Sequence, residues 1–148
     1  MPVGVTSVER SRVVAASPQD LWAIVGDPHH QPRWWPGVER VEGVEAERFT
    51  QVLRTRRGRA VRVDYAVVEQ HAPALAVWRQ ELEGSPFARV LSASEIRIEL
   101  EGADAATRVT ITQLQRLRGS NRTGHWMLAR ATRRRLDSAL AGLAEITG

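Results

Sequence analysis

Cysteine and lysine are both missing from this chain of 148 residues. The lack of cysteine excludes disulfides and thiolate metal sites. Phenylalanine and tyrosine are scarce, two and one, against five tryptophans. No stretch approaches the roughly 20 apolar residues of a membrane span. The first residues, MPVGVTSVERSR, hold no apolar run of the secretory-signal kind, so a cytoplasmic location is expected. Gly-x-Gly-x-x-Gly, P-loop and nucleophile-elbow patterns are absent, and no cofactor is expected. Asn121-Arg122-Thr123 matches a glycosylation sequon, but no secretory signal supports it.

What is present is ordinary in bulk and unusual in detail. With 43% hydrophobic and 26% charged residues, the chain reads as one globular domain over residues 1–148. A chain of this size buries roughly 70% of its unfolded surface, enough for a core without staples. All 21 basic residues are arginine, and the net charge is +4. Six arginines and no acid fall within residues 48–62, and seven more, again with no acid, within 116–135. Such clustered positive charge attracts anions, nucleic acid or an anionic surface.

Periodicity orders the elements. SVERSRVVAAS reads as a first strand. Ser17-Pro18-Gln19-Asp20 opens a helix with Ser17 as N-cap, and Leu21, Ile24 and Val25 give it an apolar face. Gly26-Asp27-Pro28 ends it, and a second short helical piece covers His29 to Trp34. Six strands follow, over Val38–Glu45, Arg48–Arg57, Ala60–His71, Ala76–Glu83, Ala88–Glu101 and Thr107–Leu117. Gly58 sits in a hairpin turn between the second and third of these. From Arg122 to Ile146 the apolar period changes from two to 3.6, with Leu128, Ala129, Thr132, Leu136, Ala139, Leu140 and Leu143 in one stripe. A sheet covered on one face by one long helix is an α+β two-layer design, and the concave space between them suits a small ligand.

This order resembles the START/Bet v 1-like (SRPBCC) superfamily, the helix-grip fold that includes polyketide cyclase/dehydrase and lipid-transport-like proteins. Local features carry the likeness too: Ala16-Ser17-Pro18 into Leu21-Trp22, then Asp27, Trp35-Pro36-Gly37-Val38 and, near the end, Ala106-Thr107-Arg108-Val109-Thr110. The resemblance implies an antiparallel sheet of about seven strands curved around one long C-terminal helix, with two short helices after the first strand. It also implies that Trp35 plugs the space between the short helices and the sheet. Because this fold hosts carriers, cyclases, hydrolases and regulatory domains, it does not choose among them.

Candidate site residues come from the inward faces of the strands. Tyr65, Trp78, Gln80 and Gln113 fall there by alternation, Gln115 with them, while Asp64 and Glu81 fall on the opposite faces. Trp35 and Trp126 are the other aromatic candidates for a cavity wall. Tyr65 and His125 are the candidates for proton transfer. His29 and His30 are adjacent and lack the spacing of a zinc pair, and neither His71, His125 nor an acidic cluster joins them, so no metal site is expected. Arg56, Arg57 and Arg59 at the hairpin tip, with Arg122 at the start of the long helix, form a candidate anion-attracting rim. The alternative is a solvated face whose arginines pair with Glu39, Glu99 or Glu101.

Three functions compete. The first is binding of a small hydrophobic or amphipathic ligand, a lipid-like or anionic molecule, without turnover, and it is preferred because no catalytic set is evident. The second is a polyketide cyclase/aromatase- or dehydrase-like enzyme that acts by shaping its substrate. The third is association with nucleic acid or the ribosome through the arginines. It ranks last because the basic windows lack interleaved aromatics.

Overall fold

The computed structural model describes residues 4–119 and 122–147. Asn121 of the sequon lies outside them. The elements run β1 (Val5–Val14), α1 (Pro18–Val25), a 3-10 turn (Pro28–His30), α2 (Gln31–Trp34), β2 (Val38–Glu42), β3 (Arg48–Arg54), β4 (Ala60–His71) and β5 (Leu75–Gln80). A second 3-10 turn (Pro86–Arg89), β6 (Leu91–Ala103), β7 (Ala106–Leu117) and α3 (Arg122–Thr147) complete them. The strands form a seven-stranded antiparallel sheet in the order β1-β7-β6-β5-β4-β3-β2, and the curved sheet closes on α3 in a helix-grip fold.

Local chemistry sets most of the boundaries. The Ser17 hydroxyl accepts from the Asp20 N–H at 3.1 Å, with Pro18 in the first turn of α1. β1 ends at Val14, short of Ser17, because Ala16 turns back onto the Val14 carbonyl and hands the chain to that cap. β2 ends at Glu42 because Gly43 takes a positive φ of 58°. The β3–β4 turn places Gly58 at φ 78°, with the Thr55 N–H donating to the Arg59 carbonyl. Ser85-Pro86 starts a 3-10 turn, so β6 begins at Leu91 and not at Ala88.

The inward face of the sheet and the stripe of α3 make the core. Ile96, Ile98, Val109 and Ile111 from β6 and β7 meet Leu136, Ala139, Leu140 and Leu143 from α3, all fully buried or nearly so. The buried residues of α3 begin at Thr132, and none precedes it among those described. At the other end α3 lies against α2 at Gly142, where a Cβ atom would sit 2.6 Å from the Trp34 carbonyl oxygen and 2.9 Å from its Cα.

That contact decides the sign of a substitution. Alanine in a helix interior is favoured over glycine by about 1 kcal/mol, but forcing a methyl against backbone costs about 1–3 kcal/mol. Gly142→Ala is therefore expected to lower Tm by several degrees in a thermal melt, and an increase would show that α3 moves off α2 without penalty.

Candidate functional site

The middle of the concave face is aromatic. Phe49 from β3 stacks on Tyr65 from β4 with ring centroids 5.3 Å apart. Trp78 from β5 packs edge-on to Phe49 at 5.1 Å and to Trp35 at 5.9 Å, and Trp35 meets Trp34 at 5.4 Å. All five rings are buried. Trp35 therefore has both roles open to it in the sequence: it fills the space under the short helices, and one of its sides bounds a cavity.

That cavity measures about 100 Å³ and lies between the sheet and α3. Trp35, Leu53, Val63 and Phe87 supply its apolar wall, and Gln51, Tyr65, Gln80, Gln113, Gln115 and Arg135 supply its polar one. Tyr65, Gln80 and Gln113 thus come together as alternation indicates, with Trp35. Trp78 belongs to the aromatic cluster but does not itself line the cavity.

Arg135 is the residue that sequence reasoning missed. It is half-buried on α3, one turn after Thr132 and one turn before Ala139, so helical spacing places it at the edge of the apolar stripe. Its Nη2 donates to Gln113 Oε1 at 2.9 Å and lies 3.5 Å from Thr132 Oγ1. Thr132 in turn donates to Gln115 Oε1 at 3.0 Å. No carboxylate pairs with Arg135 among the described residues, unlike Arg10, Arg54 and Arg62, which meet Asp137, Glu39 and Glu42. Buried charge is ordinarily paired. Gln31 and Gln51 were missed for a different reason: a glutamine in a short helix and one in a strand carry no pattern that foretells their 2.7 Å hydrogen bond.

The electrostatics follow from burial. Desolvation pulls the Arg135 guanidinium below the ordinary arginine value, with the Tyr65 phenol opposing. Desolvation likewise pushes Tyr65 up to about 12, and the Arg135 cation pulls the other way. At neutral pH the site presents a neutral phenol, a cation and four glutamine amides around one space. Among the described residues no carboxylate or imidazole lines this cavity. The arrangement donates hydrogen bonds; it holds no general base of ordinary strength.

The remaining candidates lie elsewhere. Trp126 is 57% exposed and stands on the outer side of α3 under the Arg130 guanidinium, 5.5 Å from its ring. Its position after His125 brings it near the helix start but about 100° off the stripe, at 3.6 residues per turn. His125 has the right phase, yet its Nδ1 meets Thr6 Oγ1 of β1 at 2.9 Å and it does not line the cavity. Arg56, Arg57 and Arg59 at the β3–β4 turn and Arg122 are exposed, make no ion pair among the described residues, and do not line the cavity. Strand register puts that turn, the β5–β6 connection and the start of α3 at one end of the sheet. His29 and His30 serve Asp27. Burial raises the Asp27 carboxyl, but hydrogen bonds from the His29 backbone and ring, at 3.0 and 2.9 Å, and the nearby charge of both histidines hold it below the usual carboxylate range.

Known proteins fit this architecture. The family described as polyketide cyclase / dehydrase and lipid transport matches residues 5–147. The chain belongs to that family. No curated protein matches it in sequence. Among solved structures, the Zhui aromatase/cyclase from Streptomyces sp. R1128 is similar at TM-score 0.75 and 19% identity, covering 95% of this chain and 92% of that one. A START superfamily protein from Mycobacterium smegmatis gives 0.74 and 17%, covering 96% and 99%. The di-domain ARO/CYC BexL from the BE-7585A biosynthetic pathway gives 0.79 and 13%, and this chain, 97% covered, spans half of it. At these identities the likeness is one of fold.

Tyr65 is the chain's single tyrosine, so its ionisation can be read directly. The tyrosinate absorbance should develop near pH 12 in the folded protein, above the ordinary value of 10. A raised pKa means that the neutral form is favoured by folding, so this contribution is fully present below pH 10 and is lost as pH climbs towards 12. Titration near 10 while the protein remains folded would place the phenol in solvent instead.

Proposed function

We propose that the protein binds a small amphipathic molecule whose polar end is a carboxylate, an enolate or a polarised carbonyl, held between the sheet and α3. The observation that carries this reading is Arg135: a desolvated guanidinium facing a cavity with no carboxylate beside it. An anionic head group would supply the missing partner, with Gln113, Gln115 and Tyr65 as further hydrogen-bonding groups and the Trp35–Trp78 cluster against the apolar part. Arg56, Arg57, Arg59 and Arg122, outside the cavity, attract such a ligand in this reading and do not hold it.

A second reading is a cyclase- or dehydrase-like enzyme. What favours it is that the neutral Tyr65 phenol and the Arg135 cation face one space, an arrangement that stabilises negative charge developing on a carbonyl oxygen. Solved relatives described as aromatase/cyclases accord with it. In that case the protein orients a flexible chain and stabilises its enolate, while the proton is taken by solvent or by the substrate itself.

Calorimetric titration with octanoate tests the first reading. Arg135→Met should weaken binding roughly ten- to a hundredfold, the equivalent of about 1.5–3 kcal/mol for a hydrogen bond to a charged group. Its Tm should match or exceed that of the parent, because a desolvated cation without a carboxylate partner is removed. Equal affinity in parent and variant would overturn the assignment. For the second reading, Tyr65→Phe should abolish turnover of a poly-β-carbonyl substrate while octanoate still binds.

A further inference from the structure

The cavity beside Arg135 is the smaller of two adjoining spaces, about 100 Å³, and the sheet itself offers more. β5 and β6 pair only from Leu75↔Glu99 to Arg79↔Glu95. Beyond that they part. The chain after β5 stays with β4, where the Glu81 N–H donates to the Asp64 carbonyl at 2.8 Å. The first residues of β6 stay with β7, and the register shift between Leu91 and Ala93 leaves Ser92 as the extra residue of a bulge that bends the strand.

The gap so formed is a cavity of about 460 Å³. Residues from both faces of the sheet bound it: Arg79, Glu95 and Leu114 from the outer face, Gln80, Ser94 and Gln115 from the inner. Gln80 and Gln115 also line the cavity beside Arg135, so the two spaces adjoin at these glutamines. The Ser94 hydroxyl, 1% exposed, has no hydrogen-bond partner, although such buried groups are ordinarily satisfied. Leu82, Ala93 and Leu114 give the gap an apolar flank.

We infer that the parted strands β5 and β6 form a second chamber of the binding site, which takes the apolar tail of an elongated carboxylic acid or comparable amphiphile whose head lies at Arg135. The inference rests on the proposed role of Arg135 and extends it to ligand length. A short acid fits the inner chamber alone. A long one passes Gln80 and Gln115 and runs between the strands towards the outer face of the sheet, where the gap also serves as its entrance.

Two acids and four variants decide the matter. Butanoate and dodecanoate are titrated against the parent, Ala93→Trp and Ser94→Leu, by calorimetry or ligand-observed NMR. Ala93 is exposed and its variant keeps the fold testable if the buried Ser94→Leu does not fold. Filling the gap should weaken dodecanoate about tenfold or more and leave butanoate unaffected, since only the tail loses apolar contact. In the cysteine-free chain, Ser92→Cys carries a unique thiol. Dodecanoate should slow its alkylation and butanoate should not. If dodecanoate binds both gap-filling variants as it binds the parent, or leaves the introduced thiol unprotected, the second chamber is overturned while Arg135 stands. If Arg135→Met spares the binding of both acids, or neither acid binds the parent, the anchor is overturned and the chamber with it.

Discussion

Along α3 the buried face changes character between Leu136 and Thr132, and the interior of the protein changes with it. From Leu136 onward the stripe is aliphatic and closes on the isoleucines and valines of β6 and β7. One turn earlier Thr132 and Arg135 take over, and the strands answer with Gln113 and Gln115. Apolar burial holds the helix in the grip of the sheet. The polar turn next to it keeps that grip from becoming a continuous core, because a hydroxyl and a guanidinium need partners where a leucine would need only neighbours. The cavity exists because these two demands meet on one helix.

Packing and chemistry are separated in space as a result. The aliphatic stripe of α3 fills one end of the concave face, the aromatic cluster lies between it and the cavity, and α2 is pressed so closely to α3 that a glycine is required between them. The polar residues gather at the end where the sheet opens and β5 leaves β6. Ser94 lies on the same flank as the glutamines, and the buried Gln31 amide and Trp34 indole nitrogens lie under the short helices. The charged surface, by contrast, is knitted by exposed pairs such as Arg54–Glu39 and Arg62–Glu42, which contribute little each and leave the interior to decide the structure.

Much of this was legible in residues alone, for a physical reason. Strand alternation has a period of two, so once Val63 and Ile111 are known to face inward, Tyr65 and Gln113 must follow. Helix order, the Ser17 cap and the Gly58 turn were legible because each is dictated by neighbours in sequence. Arg135 was hidden by counting charge along the chain: among seven arginines in 20 residues it looks like the others, and only its phase relative to Thr132 and Ala139 sets it apart. Trp126 misled in the opposite way, since nearness to the helix start says nothing about which side of the helix it occupies. The parting of β5 from β6 leaves no mark on alternation. Period fixes which face a residue takes and is silent on which strand lies beside it.

The absence of buried residues in α3 before Thr132, among those described, also bears on how such a chain diverges. None of the residues from Arg122 to Ala131 is buried, and Ala129 alone among them packs against the core, whereas each of the buried positions from Leu136 to Leu143 is constrained by contacts in the core. Drift in that first stretch can alter surface charge, and so what approaches the opening, at little cost to folding. Substitutions at the glutamines would alter what is held inside. Family members could thus change their surroundings and their ligand independently, with one half of a single helix held to its shape and the other half open to variation.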